Sequence, residues 1–255
     1  MLPACNLNTF SLRGGKPTFP EQLGVTRPLC QDKYYATLHD NNLGIARIRQ
    51  GSKELYQNQP FQDRYERGLL VPVKILRYSL ESALATFTYT NCVPQIANFN
   101  RGQWKRYELR IEKYARKNCS RNGETLFLIT GTSKVKFLRK RDRQGKIKAA
   151  KGMEPLQWFH NNVDVNKNLG PKIAIPNSMW TVGCCLNLKK NKVVGVFGVM
   201  GDNSLNQQLL NEFMMSEQNV AYVESTLQLE DPNIKLFPNG DDCYKPEKNV
   251  RLIEI

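Results

Sequence analysis

A chain of 255 residues is long enough to bury a real core, and 40% apolar with 24% charged residues excludes a disordered or fibrous polymer. No apolar run approaches the ~20 residues that a membrane-spanning helix needs, and Met1–Phe10 lacks the charged-then-apolar plan of a secretory signal. A formal charge of +14 directs the surface toward polyanions such as nucleic acid, heparin-like glycan or anionic lipid.

In chain order, Tyr34–Asp40 and Ile45–Arg49 alternate around Asn41-Asn42-Leu43-Gly44 and predict a hairpin. Ala85–Val93 and Thr125–Thr130 are rich in β-branched and aromatic residues and read as strands, as do Thr181–Leu188 and Val193–Met200. A helix is expected over about Arg101–Lys117, where Trp104, Tyr107, Ile111, Tyr114 and Ala115 recur at helical spacing, with Asn100 placed to cap it. Lys134–Lys151 has few apolar residues and reads as an exposed loop. Trp158–Asn162 reads as a polar loop. A second helix is expected over Ser216–Leu229, on a stripe of Val220, Val223 and Leu227. Strands grouped around few helices predict an α+β fold, and no linker or repeat divides 1–255, which reads as one domain.

Charge is uneven along the chain. Residues 101–151 hold seventeen Lys or Arg against four Asp or Glu, whereas 201–255 hold four against ten. The polyanion attraction is therefore concentrated on one segment. None of the seven cysteines shows CxxC spacing and only two histidines exist, so no structural zinc site is expected. Scattered disulfides with one thiol left over, or buried reduced cysteines, both suit that scatter.

Three stretches carry chemistry in order: Tyr65-Glu66-Arg67-Gly68-Leu69, then Asn91-Cys92-Val93-Pro94-Gln95, then Asn100-Arg101-Gly102-Gln103-Trp104 followed by Glu108. Together they resemble the DNA/RNA non-specific endonuclease family, whose signature reads Asp-Arg-Gly-His, Asn-x-x-Pro-Gln and Asn-x-Gly-x-Trp with a later glutamate. The resemblance extends from Leu29-Cys30-Gln31 to Leu236-Phe237 and Cys243. It is closest to the metazoan endonuclease domain-containing secreted proteins.

The resemblance implies a ββα-metal fold, a central antiparallel sheet flanked by helices, and sequence-tolerant DNA or RNA as partner. It makes Asn100 the one direct protein ligand to Mg²⁺ (or Mn²⁺), although on residue type alone Asn100 reads as a helix cap. Glu108 is placed to reach a metal-bound water, or else to pair with Lys105 or Lys113 on the helix surface. Arg67 would neutralise phosphate charge, with Arg101 and Lys105 as further phosphate contacts. Asn91 would hold the phosphate and water network, or fix a strand end. Glu66 replaces the family's aspartate.

Leu69 stands where the family has its general-base histidine, and a leucine accepts no proton. A positioned base contributes about 10²–10⁴-fold in rate, so hydrolysis is expected to be lost or weakened. His160 is the candidate substitute base, while His39 reads as structural. The resemblance also implies a Cys5–Cys30 disulfide, pairing of Cys119 and Cys243 with Cys184 and Cys185 in an order left open, and Cys92 as the remaining thiol. Three bridges imply secretion. Three readings follow: a nuclease-like binding protein, a working Mg²⁺- or Mn²⁺-dependent endonuclease, and a structural secreted protein.

Overall fold

The computed structural model describes residues 8–12, 65–76, 82–83, 86–87, 91–120, 123–141, 147–160, 172–203 and 215–255. The hairpin expected at 34–49, His39, Cys5 and Cys30 lie outside them. The strands described are β1 (Asn8–Leu12), β2 (Tyr65–Leu69), β3 (Cys92–Ile96), β4 (Thr125–Ser133), β5 (Val135–Arg141), β6 (Ile147–Met153), β7 (Gln157–His160), β8 (Lys172–Ile175), β9 (Ser178–Asn187), β10 (Lys192–Asp202) and β11 (Met215–Gln218). Three helices are labelled: α1 (Val73–Leu76), α2 (Lys105–Tyr114) and α3 (Val220–Leu227).

The chain divides into two compact units. One comprises Met1–Gly14, Arg101–Pro155 and Asn177–Ile255; the other comprises Gly15–Asn100 and Leu156–Pro176. The first unit is built on an antiparallel sheet in the order β1-β4-β9-β10-β11. Strand side chains alternate between faces, and here both faces are buried. On one, Ile129, Trp180, Val182, Val196 and Met200 pack with Val220, Val223 and Leu227 of α3 and with Leu236. On the other, Phe197 meets Tyr114 of α2 edge-on, ring centroids 5.6 Å apart. The fold is α+β, with a central antiparallel sheet flanked by helices.

Neighbouring cysteines on β9 point to opposite faces, and each is bridged on its own side. Cys185 joins Cys119 beyond α2, and Cys184 joins Cys243 in the C-terminal segment. This settles the order that sequence left open. Cys92 stays a buried thiol.

The expected helix at 101–117 is shorter and broken. A turn at Ala97–Phe99 precedes it, and Asn100–Trp104 forms a widened turn with non-helical backbone at Gly102 (φ −97°, ψ −105°). Regular α-helix runs only over Lys105–Tyr114, and Ala115–Cys119 widens again. Asn100 therefore lies inside the helical stretch with helical φ/ψ and does not cap it, because the chain turns helical three residues earlier. At the other predicted helix, residues 215–218 are drawn instead into the sheet edge against β10. Asn219 then caps α3, its Oδ1 accepting from the Tyr222 amide at 2.7 Å.

Two predicted loops are strands. The Lys134–Lys151 stretch is the β5–β6 ribbon, in register from Val135↔Met153 to Arg141↔Ile147. Its high charge hid the alternation that lets the backbone amides pair. Trp158 and His160 lie in β7, with His160 opposite Lys172 of β8. Of the strand expected over Ala85–Val93, Thr86 and Phe87 form a turn, and among the described residues strand pairing starts at Cys92.

The two disulfides close separations of 66 and 59 residues, worth roughly 4 kcal/mol each as unfolded-state entropy. Replacing Cys119 and Cys185 together by alanine is expected to cost about 2–5 kcal/mol in urea unfolding. Burial and a neighbouring Glu217 push the Tyr107 hydroxyl up to about 12 from its ordinary 10.0, and burial with Glu124 does the same to Tyr114. Burial and a hydrogen bond to Glu224 raise Tyr244 likewise. The unfolded chain therefore releases these protons before the folded one. The stability they contribute is complete below pH 10 and declines as pH rises toward 12. Melting temperature and tyrosinate absorbance followed together across that window should fall and rise in step.

Candidate functional site

The β2–β3 hairpin carries the first two motifs, with Glu66 opposite Gln95, Arg67 opposite Pro94, Gly68 opposite Val93 and Leu69 opposite Cys92. Gly68 is required by its neighbour. A Cβ there would lie 2.0 Å from Gln95 Oε1 and 2.6 Å from Gln95 Cβ. The Gln95 side chain lies across the glycine and is fully buried, and neither Oε1 nor Nε2 has a hydrogen-bond partner among the described residues. Leaving such a group unsatisfied costs about 1–3 kcal/mol. Gln95 stood in the quoted Pro-Gln motif, but residue type alone gave no sign that its amide would be buried without a partner.

Asn100 follows β3 by four residues, and its Nδ2 donates to Glu66 Oε2 at 2.8 Å. A carboxylate only accepts, so this bond fixes which way the amide is turned and leaves Oδ1 as its available oxygen. Of the predicted site residues, these two are brought into direct contact.

Asn91 is committed to the backbone. Its Oδ1 accepts from the Val71 amide at 3.0 Å, and its Nδ2 donates to the carbonyls of Val71 at 3.0 Å and Thr86 at 2.8 Å. Its own carbonyl accepts from the Leu70 amide. This geometry locks the segment after β2 to the start of β3.

Strand alternation sets Arg67 and Leu69 on the face opposite Glu66 and Gly68. Arg67 is half-buried. Leu69, like Val73, packs against the buried cluster of Phe87 and Cys92.

The division between the compact units falls between Asn100 and Arg101. Arg101 and Lys105 are exposed and Glu108 is half-buried, all three in the first unit. In the second unit β8 runs beside β3 and pairs with β7, which ends on His160. Among the described residues no group of three or more His, Cys, Asp or Glu side chains could hold a metal ion. What Asn100, Glu66 and Gln95 offer is oxygen and amide chemistry, which suits a hard cation that keeps most of its waters.

A family model described as DNA/RNA non-specific endonuclease matches residues 34–231. The chain belongs to this family. Comparison with curated proteins finds no match. Among solved structures, a chain of the EndoG/EndoGI complex, described under the mechanism of EndoG inhibition, is 19% identical with a TM-score of 0.38. That match covers 58% of this chain and 52% of the other, so this chain spans about half the length of that relative. Membership supports nuclease-like nucleic-acid binding, and members of the family typically depend on a divalent metal. No described helix is long and apolar enough to cross a membrane. The bridged cysteine pairs are compatible with an oxidising, extracellular setting.

Gly68→Ala should destabilise the protein by about 1–3 kcal/mol, because Gln95 is walled in and cannot yield. Asn91→Ala should cost a similar ~1–3 kcal/mol by stranding buried backbone groups of Val71 and Thr86. Denaturant midpoints of the two variants check both values.

Proposed function

We propose that this protein is a nuclease-fold binder of nucleic acid, sequence-tolerant toward DNA or RNA, whose phosphodiester hydrolysis is lost or weakened. The observation that carries the reading is Leu69 packed against the Phe87 and Cys92 cluster, at the position the sequence resemblance gives to the general base. Cleavage needs a deprotonated water, neutralised phosphate charge and a stabilised leaving oxygen. Arg67, on the same face of β2 as Leu69, is the residue that would serve the second of these needs. Leucine accepts no proton, so position 69 cannot serve the first.

The residues present fit a hydrated Mg²⁺ or Mn²⁺. Asn100 Oδ1 would hold it, oriented by the bond from Nδ2 to Glu66, and the buried Gln95 amide would meet one of its waters. When bound, such an ion supplies charge neutralisation at the phosphate and the departing oxygen. Glu66 acts by turning the Asn100 amide, and Asn91 by holding the hairpin that carries Glu66. Glu108 would order water, and Arg101 and Lys105 would contact phosphate. The bridged cysteines support a secreted protein.

A second reading, a slow but working endonuclease, is favoured by one observation. His160 lies on a strand pair that runs beside β3 in the same unit as Asn100. A plasmid-cleavage assay with Mg²⁺ and Mn²⁺ on the native chain, Leu69→His, Asn100→Ala and His160→Ala separates the two. The expected result is little cleavage by the native chain and a gain of about 10²–10⁴-fold in Leu69→His. Rapid native cleavage that disappears in both Asn100→Ala and His160→Ala would establish the second reading instead. Native cleavage that Asn100→Ala leaves intact would remove the metal-holding role from Asn100.

A further inference from the structure

The β5–β6 ribbon is separate from the main sheet, and among the described residues neither of its outer edges pairs with a third strand. Residues 134–151 hold nine Lys or Arg and one acid, Asp142. The register makes the imbalance local. The seven cross-strand pairs join Val135 to Met153, Lys136 to Gly152, Phe137 to Lys151, Leu138 to Ala150, Arg139 to Ala149, Lys140 to Lys148 and Arg141 to Ile147. No pair sets an acid against a base, and one sets lysine directly against lysine. Opposite charges are the stabilising choice across a ladder and like charges destabilise it. At the base of the ribbon Lys136 is neutralised by Glu154, Nζ to Oε2 3.0 Å. Beyond that pair the ladder contains no acid. A ladder whose backbone register holds one like-charge pair and no acid to offset its lysines and arginines would be stabilised by a polyanion laid against it.

We infer that this ribbon is the element that grips duplex nucleic acid, through the phosphates lining a groove. Its seven-residue strands extend about 23 Å at ~3.3 Å per residue. A two-stranded ribbon fits the ~12 Å width of the B-DNA major groove. Basic residues spaced along both strands would meet phosphates on either wall without reading bases, so the grip is insensitive to sequence. The inference rests on the nucleic-acid reading above and adds the gripping element and the form of the partner. It separates gripping, on the ribbon, from the Glu66–Asn100 hairpin.

The test is fluorescence anisotropy of a labelled DNA duplex with the full chain in EDTA over a salt series. A heparin oligosaccharide is run in parallel. Lys140→Ala/Lys148→Ala is compared with Lys189→Ala/Lys190→Ala, which removes the same charge from an exposed turn outside the ribbon. The ribbon variant should bind the duplex roughly tenfold more weakly, with the slope of log K against log salt reduced by about 2. Its melting temperature should not fall, since a repulsive pair has been removed. The turn variant should change affinity and slope less than half as much. Equal losses in both variants would overturn the ribbon inference and leave nucleic-acid binding standing. Binding of a labelled single strand but not of the duplex by the native chain would overturn the ribbon inference alone, and failure to bind either in any salt would overturn the nucleic-acid reading itself. Heparin binding that depends on the ribbon while duplex binding does not would assign the ribbon to a glycan.

Discussion

The first unit is organised by the double-sided burial of β9. Met179 through Cys185 are all buried, so successive side chains pack against different layers, α3 and the C-terminal segment on one face and α2 on the other. Room for large rings comes from glycine on the neighbouring positions. A Cβ at Gly183 would lie 2.3 Å from the Phe197 ring, and one at Gly131 would lie 2.6 Å from the Trp180 indole. The sheet has pits where rings sit, and the rings then support the helices. Edge strands are tied by backbone pairing to this centre.

Much of this architecture was legible because the central strands are made of residues that only suit a pleated, buried surface. Runs such as Thr125–Thr130 and Val193–Met200 announce themselves by β-branched and aromatic content. The elements that escaped have composition and geometry in conflict. β5 and β6 carry too many charges to resemble strands, yet their backbones pair. β2 contains Arg67-Gly68 and depends on β3, distant in sequence, to become a strand. Residues 215–218 continue a helical pattern but are claimed by the edge of β10. Tertiary pairing overrode local preference in each case.

The candidate site was legible as a set of residue types and illegible as a set of directions. Motif order singled out Glu66 and Asn100, which do meet. It could not show that Asn91 spends its amide on Val71 and Thr86, because an asparagine serves a backbone or a ligand with the same atoms. Gln95 escaped for the complementary reason: its significance is burial without a partner, which no spacing encodes. Alternation along β2 could have been read once β2 was recognised as a strand, and it separates Arg67 and Leu69 from Glu66.

The paired bridges at Cys184 and Cys185 have a consequence for how the molecule matures. A slip of β9 by one residue would exchange the faces of the two thiols, offering Cys184 to the α2 side and Cys185 to the C-terminal side. Correct oxidation therefore reads out whether the strand has already settled in its place. Crossed linkages would trap a sheet turned inside out, so thiol chemistry here proofreads strand alignment before making it permanent.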